Sequence, residues 1–156
     1  MELQKKGIIE LCKTKENASK TLSLMVEVLK EFASYENAYG SDLDDLLTYY
    51  KVEKYRYLWI CKVENEIIGT IALDEKTPVS AEIRRFFILP FYRGKGYGKQ
   101  LFQKCMKQAR DNNYAELYLD VSSIQKRALE FYRLKGFTHI GFTDYGSLIF
   151  ELPLLR

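Results

Sequence analysis

The sequence predicts one mixed α/β domain, and its size, its composition and the order of its elements all support this. Its 156 residues are enough for a single domain with its own core, and 47% of them are hydrophobic, as in globular proteins. Apolar residues fall into strand-like and helix-like patterns, with no internal repeat, linker or low-complexity segment. A strand and two helices precede a hairpin, a strand, a helix, a strand, a helix and a final hairpin, which indicates a mixed α/β domain.

The first half of the chain is predicted to form a strand, two helices and a hairpin. Apolar residues recur at helical spacing between positions 17 and 32, and two apolar runs flank the turn Glu64-Asn65-Glu66. The predicted elements are a strand over 7–12, a helix over 17–32, a loop over 34–41, a short helix over 42–50, and strands over 57–63 and 67–73.

The second half is predicted to alternate strands with helices. A long strand ends at Pro90, which has no N–H to donate to a ladder, and a helix ends at Gly136, where a left-handed cap is expected. The predicted elements are strands over 81–89 and 116–121, a helix whose apolar face is 101, 102, 105, 106 and 109, a helix over 125–134, and strands over 137–142 and 147–152.

Composition argues against several classes of function. The 24 basic and 21 acidic residues are interspersed except near Arg93, unlike the clustered charge of a nucleic-acid-binding protein. One histidine and three widely spaced cysteines support neither a metal site nor a Cys-His dyad, so buried reduced thiols are expected. No apolar run approaches the roughly 18 residues of a membrane span, and the N-terminus lacks a signal-peptide pattern. We therefore expect a cytoplasmic protein without metal, nucleic-acid or membrane partners.

The segment Tyr92–Gln100, YRGKGYGKQ, holds three glycines and three basic residues between a predicted strand and a predicted helix. It does not match a P-loop, because Arg93 stands where that motif needs its first glycine, and no register fits the dinucleotide fingerprint. Glycines at positions 94, 96 and 98 would still let the backbone turn its amides toward an anion at the helix N-terminus. The alternatives are a pyrophosphate cradle and a plain glycine-rich turn with solvated lysines.

A second segment favours the cradle. About thirty residues later the chain carries ALEFYRLKGF, residues 128–137. The pair resembles the two signature segments of the GNAT acyl-CoA N-acyltransferases: Arg93-x-x-Gly96-x-Gly98 is similar to the family's pyrophosphate loop, and residues 128–137 to its Ala-x-x-Phe-Tyr-x-x-x-Gly-Phe segment. The element order from 7 to 152 fits the family too. The resemblance implies one domain over residues 1–156, with a mixed, mostly antiparallel sheet, splayed central parallel strands and flanking helices.

The resemblance also implies acetyl-CoA as the cosubstrate. In that family acetyl-CoA lies where two central strands splay apart, and these strands correspond here to 81–89 and 116–121. Arg93 is expected mainly to brace the loop, and Gln125 replaces the asparagine with which many relatives contact the cofactor. The residues implied to contact acetyl-CoA are Phe86, Phe87 and Ile88 through their backbone, Arg93, the amides of Gly94, Lys95, Gly96, Tyr97, Gly98 and Lys99, and the side chains of Gln125 and Tyr132.

Two side chains are implied to be catalytic in the attack of a primary amine on the thioester. Glu82 aligns with the strand glutamate that acts as base in the family's histone-modifying members, and the alternative is a solvated strand-end glutamate. Tyr132 matches the family's general-acid tyrosine, and the alternative is an aromatic side chain packed on a helix face. Asp120 is a second candidate base, unless it caps a helix or has a structural role.

Two adjacent arginines bear on the acceptor. Arg84 and Arg85 stand inside an otherwise apolar strand, and either guanidinium can receive an acceptor carboxylate bidentately. The alternative is an ion pair with an acidic residue of a neighbouring strand. Strand alternation predicts that the two lie on opposite faces, with even-numbered residues 82–88 on one face and odd-numbered residues 83–89 on the other.

The loop before the second helix is expected to border the acceptor site, and it contributes Tyr35 and Tyr39 as candidate substrate-binding residues. The acidic run DLDD that follows at 42–45 either attracts a cationic amine or caps that helix. If the acidic run attracts the acceptor, the acceptor is cationic, whereas the arginines predict an acceptor with a carboxylate. The two features therefore predict opposite acceptor charges.

The leading hypothesis is an acetyl-CoA-dependent N-acetyltransferase that acts by direct attack in a ternary complex on a small amine or an amino acid. The alternatives are a peptide or protein acceptor, and a non-catalytic acyl-CoA-binding domain that senses or regulates. Many members of the family dimerise through their C-terminal strands, so a homodimer is also considered.

Overall fold

A computed structural model describes residues 4–32 and 40–154 of the chain. Its helices and strands follow the predicted order closely, and three single 3₁₀ turns lie at Ser41–Leu43, Val52–Lys54 and Pro90–Tyr92. The elements are β1 (Ile8–Leu11), α1 (Lys15–Glu31), α2 (Leu46–Tyr49), β2 (Arg56–Val63), β3 (Glu66–Thr77), β4 (Ser80–Ile88), α3 (Tyr97–Asp111), β5 (Glu116–Val121), α4 (Lys126–Leu134), β6 (Thr138–Phe142) and β7 (Leu148–Pro153).

Helix boundaries follow local capping chemistry. The Thr14 side chain accepts a 3.1 Å hydrogen bond from the Asn17 amide and so begins α1. Gly136 follows α4 with a φ of +95°, the left-handed conformation that was expected from the sequence. The short helix predicted over 42–50 is instead a 3₁₀ turn followed by the single turn of α2, because Asp45 interrupts the run and caps α2 through the Thr48 amide.

One seven-stranded sheet runs through the molecule in the order β1-β2-β3-β4-β5-β7-β6. Every neighbouring pair is antiparallel except β4 and β5, which are parallel. This confirms the predicted fold class of a mixed, mostly antiparallel sheet flanked by helices. Among the described residues, no helix combines the length and the apolar character that a membrane crossing needs.

The two parallel strands pair over a short distance only. Residues 80–82 of β4 lie beside residues 116–118 of β5, and no pairing follows, although β4 continues to Ile88 and β5 to Val121. The strands therefore splay apart beyond Glu82, and a gap opens in the middle of the sheet.

Each face of the sheet has its own apolar core. Helices α3 and α4 cover one face, where Leu101, Cys105 and Tyr132 are buried. Helix α1, α2 and the turn before it cover the other, where Met25, Val28 and Leu43 are buried. All three cysteines are free and buried, as predicted.

A β-bulge in β4 corrects the predicted alternation of that strand. Arg85 has a φ of +53°, and the register places Arg84 opposite Ala72 but Phe87 opposite Thr70, so two residues of β4 face one residue of β3. The extra residue brings Arg85 to the same face as Arg84, where both contact Asp42. Phe86 and Ile88 pack instead on the α3 side with Ile83, and Phe87 and Leu89 pack on the α1 side.

Candidate active site

Two cavities fill the gap between β4 and β5. The larger, of about 570 Å³, is called the loop cavity because the glycine-rich segment forms one of its walls. Most of its lining comes from residues 86–88, 92–94, 96, 98–99 and 124–128. The smaller, of about 200 Å³, is called the inner cavity, and residues 82–87 and 119–122 with Tyr145 supply most of its lining. The two cavities share five lining residues: Phe86, Phe87, Gln125, Ala128 and Tyr132.

The glycine-rich segment exposes a row of backbone amides to the loop cavity. Gly94 and Gly96 have φ values of +74° and +91°, which a residue with a Cβ adopts only with strain. Within the described part of the chain, the amides of residues 94–99 donate to no acceptor, and those of 97–99 belong to the first turn of α3. Together with the helix dipole they make an arrangement at the N-terminus of α3 that is able to receive an anion.

Arg93 braces this segment, as predicted. Its Nε donates to the Ile88 carbonyl at 2.8 Å and its Nη1 contacts Glu31 Oε2 at 2.7 Å, so the loop is tied to the end of β4 and to α1. Lys95 does not line the cavity and stacks on Phe91, with its Nζ 4.1 Å from the ring centroid. The Tyr97 ring is buried in the core, so Tyr97 presents only its amide.

Two cations that sequence reasoning missed line the loop cavity from α4. Lys126 and Arg127 follow Gln125 directly and begin that helix. The Arg127 guanidinium is next to the glycine-rich segment, since a Cβ on Gly94 would lie 3.6 Å from its Nη2. The signal was present in the sequence as a Gln-Lys-Arg run just before the second signature segment.

Beyond Glu82, β4 has no strand partner on the side that faces β5. The backbone around Phe86, Phe87 and Ile88 pairs with β3 on its other side, through Thr70 and Gly69. This leaves a strand edge along the wall of the loop cavity, where an extended ligand can add as a further strand.

Tyr132 stands where the two cavities meet. The residue is 6% exposed, lies among the rings of Phe86, Phe131 and Phe137, and its hydroxyl has no hydrogen-bond partner among the described residues. Burial raises the pKa of the Tyr132 phenol, and the nearby Asp120 carboxylate raises it further. The phenol is therefore protonated at neutral pH and available as a donor.

Two carboxylates face the inner cavity. Glu82 Oε2 lies 3.3 Å from Lys76 Nζ, and its Oε1 lies 3.8 Å from Arg84 Nε. Asp120, near the end of β5, accepts a 3.0 Å hydrogen bond from the hydroxyl of Tyr145. Tyr145 belongs to the turn between β6 and β7; the sequence predicted that turn but gave no sign that it would reach the site.

The arginines of β4 are engaged by carboxylates within the chain, which is the ion-pair alternative considered from the sequence. Arg85 binds Asp42 bidentately, at 2.9 Å from Nε and 2.8 Å from Nη2, and Arg84 contacts Asp42 and Asp74 at 3.3 Å. Burial alone would raise the pKa of Asp42, but the hydrogen bond and charge of Arg85, with contributions from Tyr50 and Arg84, lower it below its ordinary value. Arg84 still lines the inner cavity, with 21% of its side chain exposed.

Tyr49 is a further residue of this region that sequence reasoning missed. Its hydroxyl donates to Asp74 and accepts a 3.3 Å hydrogen bond from Arg84 Nη1. The sequence could not indicate this contact, because it joins three elements that are distant along the chain. The predicted substrate-binding residues Tyr35 and Tyr39 lie outside the described residues.

Comparison with known proteins identifies the family. A family model described as the acetyltransferase (GNAT) family matches residues 24–137. The chain is 31% identical over 123 residues to the uncharacterized N-acetyltransferase YjgM of Escherichia coli, covering 74% of this chain and 71% of that protein. It is 30% identical over 112 residues to the N-acetylaspartate synthetase of Xenopus tropicalis, covering 70% of this chain but only 41% of the synthetase.

Solved structures agree with the sequence match. An acetyltransferase from Streptococcus agalactiae superposes with a TM-score of 0.85 at 25% identity, over 95% of this chain and 98% of that one. The PaiA N-acetyltransferase from Thermoplasma acidophilum, solved with coenzyme A, superposes with a TM-score of 0.74 at 22% identity, over 94% of this chain and 99% of that one. The chain therefore belongs to the acetyltransferase (GNAT) family and is an acyltransferase that uses acetyl-CoA.

Proposed function

We propose that this enzyme transfers the acetyl group of acetyl-CoA to the primary amine of a small acceptor, and that the acceptor is an amino acid. The observation that carries the proposal is the meeting of the two cavities at Tyr132, with a phosphate-type site in one cavity and two carboxylates in the other. A donor held in the loop cavity and an acceptor held in the inner cavity would meet in the gap between β4 and β5.

The loop cavity is proposed to hold acetyl-CoA. The free amides of residues 94–99 would receive the pyrophosphate, with Lys99 and Arg127 adding charge. The unpaired edge of β4 at 86–88 would hydrogen-bond the pantetheine arm and orient the thioester toward Tyr132. In this arrangement Arg93 acts on the loop and on Ile88 rather than on the donor itself.

The inner cavity is proposed to hold the acceptor amine and to remove its proton. The attacking amine has to be neutral, which at pH 7 costs about 4.6 kcal/mol for a lysine-like amine with a pKa near 10.4 and about 1 kcal/mol for an α-amino group near 7.7. Glu82 is our candidate base and Asp120 the alternative, because both carboxylates face this cavity. The lower cost for an α-amino group favours an amino acid as acceptor.

Tyr132 is proposed to assist departure of the thiolate. Burial raises its pKa, so full proton transfer to a thiolate with a pKa like that of cysteine, about 8.5, would be uphill. The phenol therefore acts chiefly as a hydrogen-bond donor to the developing charge on sulfur, where a buried donor is most effective.

The size and charge of the inner cavity support a small acceptor that carries both an amine and a carboxylate. Its volume of about 200 Å³ is below the range of drug-sized ligand sites and suits a small molecule better than a peptide. Glu82 and Asp120 attract an ammonium group, while the exposed part of Arg84 is left for a carboxylate. The relationship to proteins named N-acetylaspartate synthetase points to the same class.

The test is acetyl-CoA-dependent thiol release with separate pools of amino acids, polyamines and short peptides. We expect release with amino acids, a strong loss of kcat in Tyr132→Phe, and a loss in Glu82→Gln that shows in the acidic limb of the pH–rate profile. Asp120→Asn is the matched variant of the alternative base, and we expect it to keep the acidic limb.

Two results would contradict the proposal. Release with peptides alone would reject the amino-acid acceptor. An unchanged pH–rate profile in Glu82→Gln, together with a lost acidic limb in Asp120→Asn, would transfer the role of base to Asp120.

Three broader expectations belong to the proposal. Residues 1–156 are taken as one N-acetyltransferase domain, and limited proteolysis would test this. The free, buried cysteines fit a reducing compartment such as the cytoplasm, which cell fractionation would test. The edge strand β6 exposes Ile140 and Phe142, so association into a homodimer is also proposed and is testable by light scattering.

A further inference from the structure

A third cavity lies on the α1–α2 side of the sheet and shares no lining residue with the other two. It has a volume of about 390 Å³ and is called the outer cavity; Leu11, Cys12, Lys13, Leu47, Tyr50, Lys51, Val52, Glu53, Arg56 and Leu58 line it. Its floor is apolar and buried, with Cys12 and Leu58 only 5% and 2% exposed.

The rim of the outer cavity carries more positive than negative charge. Its lining residues include three cations, Lys13, Lys51 and Arg56, and one carboxylate, Glu53. In the part of the chain that the structure describes, neither Lys13 nor Lys51 makes an ion pair. An apolar floor with a cationic rim is the arrangement of a site for a small organic anion.

Arg56 connects this cavity to the acceptor side of the active site. Its Nε lies 3.5 Å from Asp74 Oδ1, and its guanidinium stacks on the Tyr49 ring with 4.3 Å between Cζ and the ring centroid. Asp74 is 1% exposed and also binds Arg84 at 3.3 Å. Arg84 lines the inner cavity, so one buried carboxylate is shared by a cation of each cavity.

Tyr50 makes a second connection between the outer cavity and the residues of the inner cavity. Its ring lines the outer cavity, and its hydroxyl donates to Asp42 Oδ2 at 2.6 Å. Asp42 is the carboxylate that holds Arg84 and Arg85. In both connections between the outer and inner cavities, hydrogen bonds and ion pairs converge on a buried carboxylate, Asp74 or Asp42.

We propose that the outer cavity binds a small carboxylate or phosphate ester with an apolar body, and that this binding weakens capture of the acceptor. The anion would occupy the rim at Lys13, Lys51 and Arg56 and place its apolar body on the floor at Cys12 and Leu58. Ligand binding to the site does not depend on the proposed function, whereas its effect on the acceptor rests on it.

The direction of the coupling follows from competition for Asp74. An anion that pairs with Arg56 draws that guanidinium away from Asp74, whose remaining cations are Arg84 and Lys76. Asp74 then holds Arg84 more tightly, and less of the guanidinium is left for a substrate carboxylate. Because linkage is reciprocal, an acceptor carboxylate bound to Arg84 would weaken binding of the anion by the same factor.

Binding is tested with benzoate as the anionic probe and benzamide as its uncharged match, by isothermal titration calorimetry on the full chain. We expect benzoate to bind with a Kd of about 1 mM and benzamide to bind at least about tenfold more weakly. Lys51→Met should lose the benzoate signal, while Lys104→Met, an exposed lysine on α3, should keep it. Equal binding of benzamide, or benzoate binding that survives Lys51→Met, overturns the site.

Coupling is tested by the acceptor KM with and without saturating benzoate, compared within each variant. In the wild type we expect benzoate to raise the acceptor KM about fivefold, and in Arg56→Met we expect no such rise. A rise that persists in Lys51→Met would mean that benzoate competes at Arg84 directly, which overturns the coupling. If no amino acid is acetylated, the proposed function fails. The calorimetric experiment still shows on its own whether the outer cavity binds an anion.

Discussion

The two sides of the gap between β4 and β5 are built in different ways. The loop cavity is bordered by main chain on two sides, namely the amides of the glycine-rich segment and the open edge of β4, so part of its chemistry is set by a short contiguous segment. The inner cavity is lined by charged side chains of β4 and β5 and by Tyr145 of the β6–β7 turn. The arginines among them are held by partners from α2, β3 and the turn at 41–43. If the two cavities hold donor and acceptor as proposed, donor binding depends on local backbone geometry and acceptor choice depends on long-range side-chain contacts.

The largest effect that we predict is a loss of unfolding free energy when Asp42, which holds the arginines of the inner cavity, is changed. Asp42→Asn removes the carboxylate that Arg85 binds bidentately and that Arg84 also contacts, and breaking a buried ion pair costs about 3–5 kcal/mol of unfolding free energy. Urea unfolding measures it, with Asp111→Asn, which breaks an exposed pair with Lys107, as the control expected to change by less than about 1 kcal/mol. A similar small change in both variants would mean that the arginine network adds little to stability.

The same variant tests the pH dependence of stability. The pKa of Asp42 is lowered in the folded state, so the stabilising contribution of its carboxylate is present above the unfolded pKa of about 3.9 and is lost as the pH falls through the folded value. We expect Asp42→Asn to flatten the acid limb of the stability curve below about pH 4. An acid limb as steep as that of the wild type would assign it to other carboxylates.

Tyr132→Phe is expected to reduce kcat about 100-fold, since it removes one donor from a buried site where negative charge develops. Acetyl-CoA binding should change little, because the ring and its packing against Phe86 and Phe131 remain. Steady-state kinetics and acetyl-CoA titration together measure the two effects. Full turnover in the variant would reduce Tyr132 to a packing residue shared by the two cavities.

Arg127→Met is expected to raise the KM for acetyl-CoA about tenfold and to leave the KM of the acceptor unchanged, because one charge-assisted contact is worth about 1.5–3 kcal/mol. Arg133→Met, near the other end of α4, is the matched control. An equal rise in both KM values would show that the two sides are not independent.

The smallest effect that we predict is the loss of stability in Gly96→Ala. Alanine there meets no atom within 4 Å but has to adopt a φ of +91°, which costs about 1–2 kcal/mol. Gly141→Ala, which also has open space but no positive φ, is the control and should not lose stability. Thermal unfolding distinguishes them, and equal Tm values would show that the loop accommodates a Cβ without strain.

Features that depend on a contiguous segment could be predicted from the sequence, whereas features that depend on long-range contacts could not. The order of the elements along the chain was recoverable from periodicity, and the glycine-rich segment and Tyr132 were recognisable as candidates because each stands in a contiguous pattern. Arg127 could have been found in the same way. The shared face of Arg84 and Arg85 could not, because a bulge depends on pairing with β3 and leaves no mark in an alternating pattern. Nor could the contacts of Tyr49 and Tyr145, since side chains distant along the chain meet only after the sheet has formed.

The bulge at Arg85 also affects which substitutions in β4 could alter acceptor specificity. It separates β4 into a stretch that carries Glu82 and Arg84 of the inner cavity and a stretch that borders the loop cavity, and the register of the second stretch is fixed again at Phe87 opposite Thr70. The side chain at position 84 can therefore differ without a shift of the edge at 86–88, whereas Glu82 is the candidate base and Ala81 and Ile83 are buried in the core. This strand is a natural position for evolving or engineering new acceptors while the acetyl donor is kept.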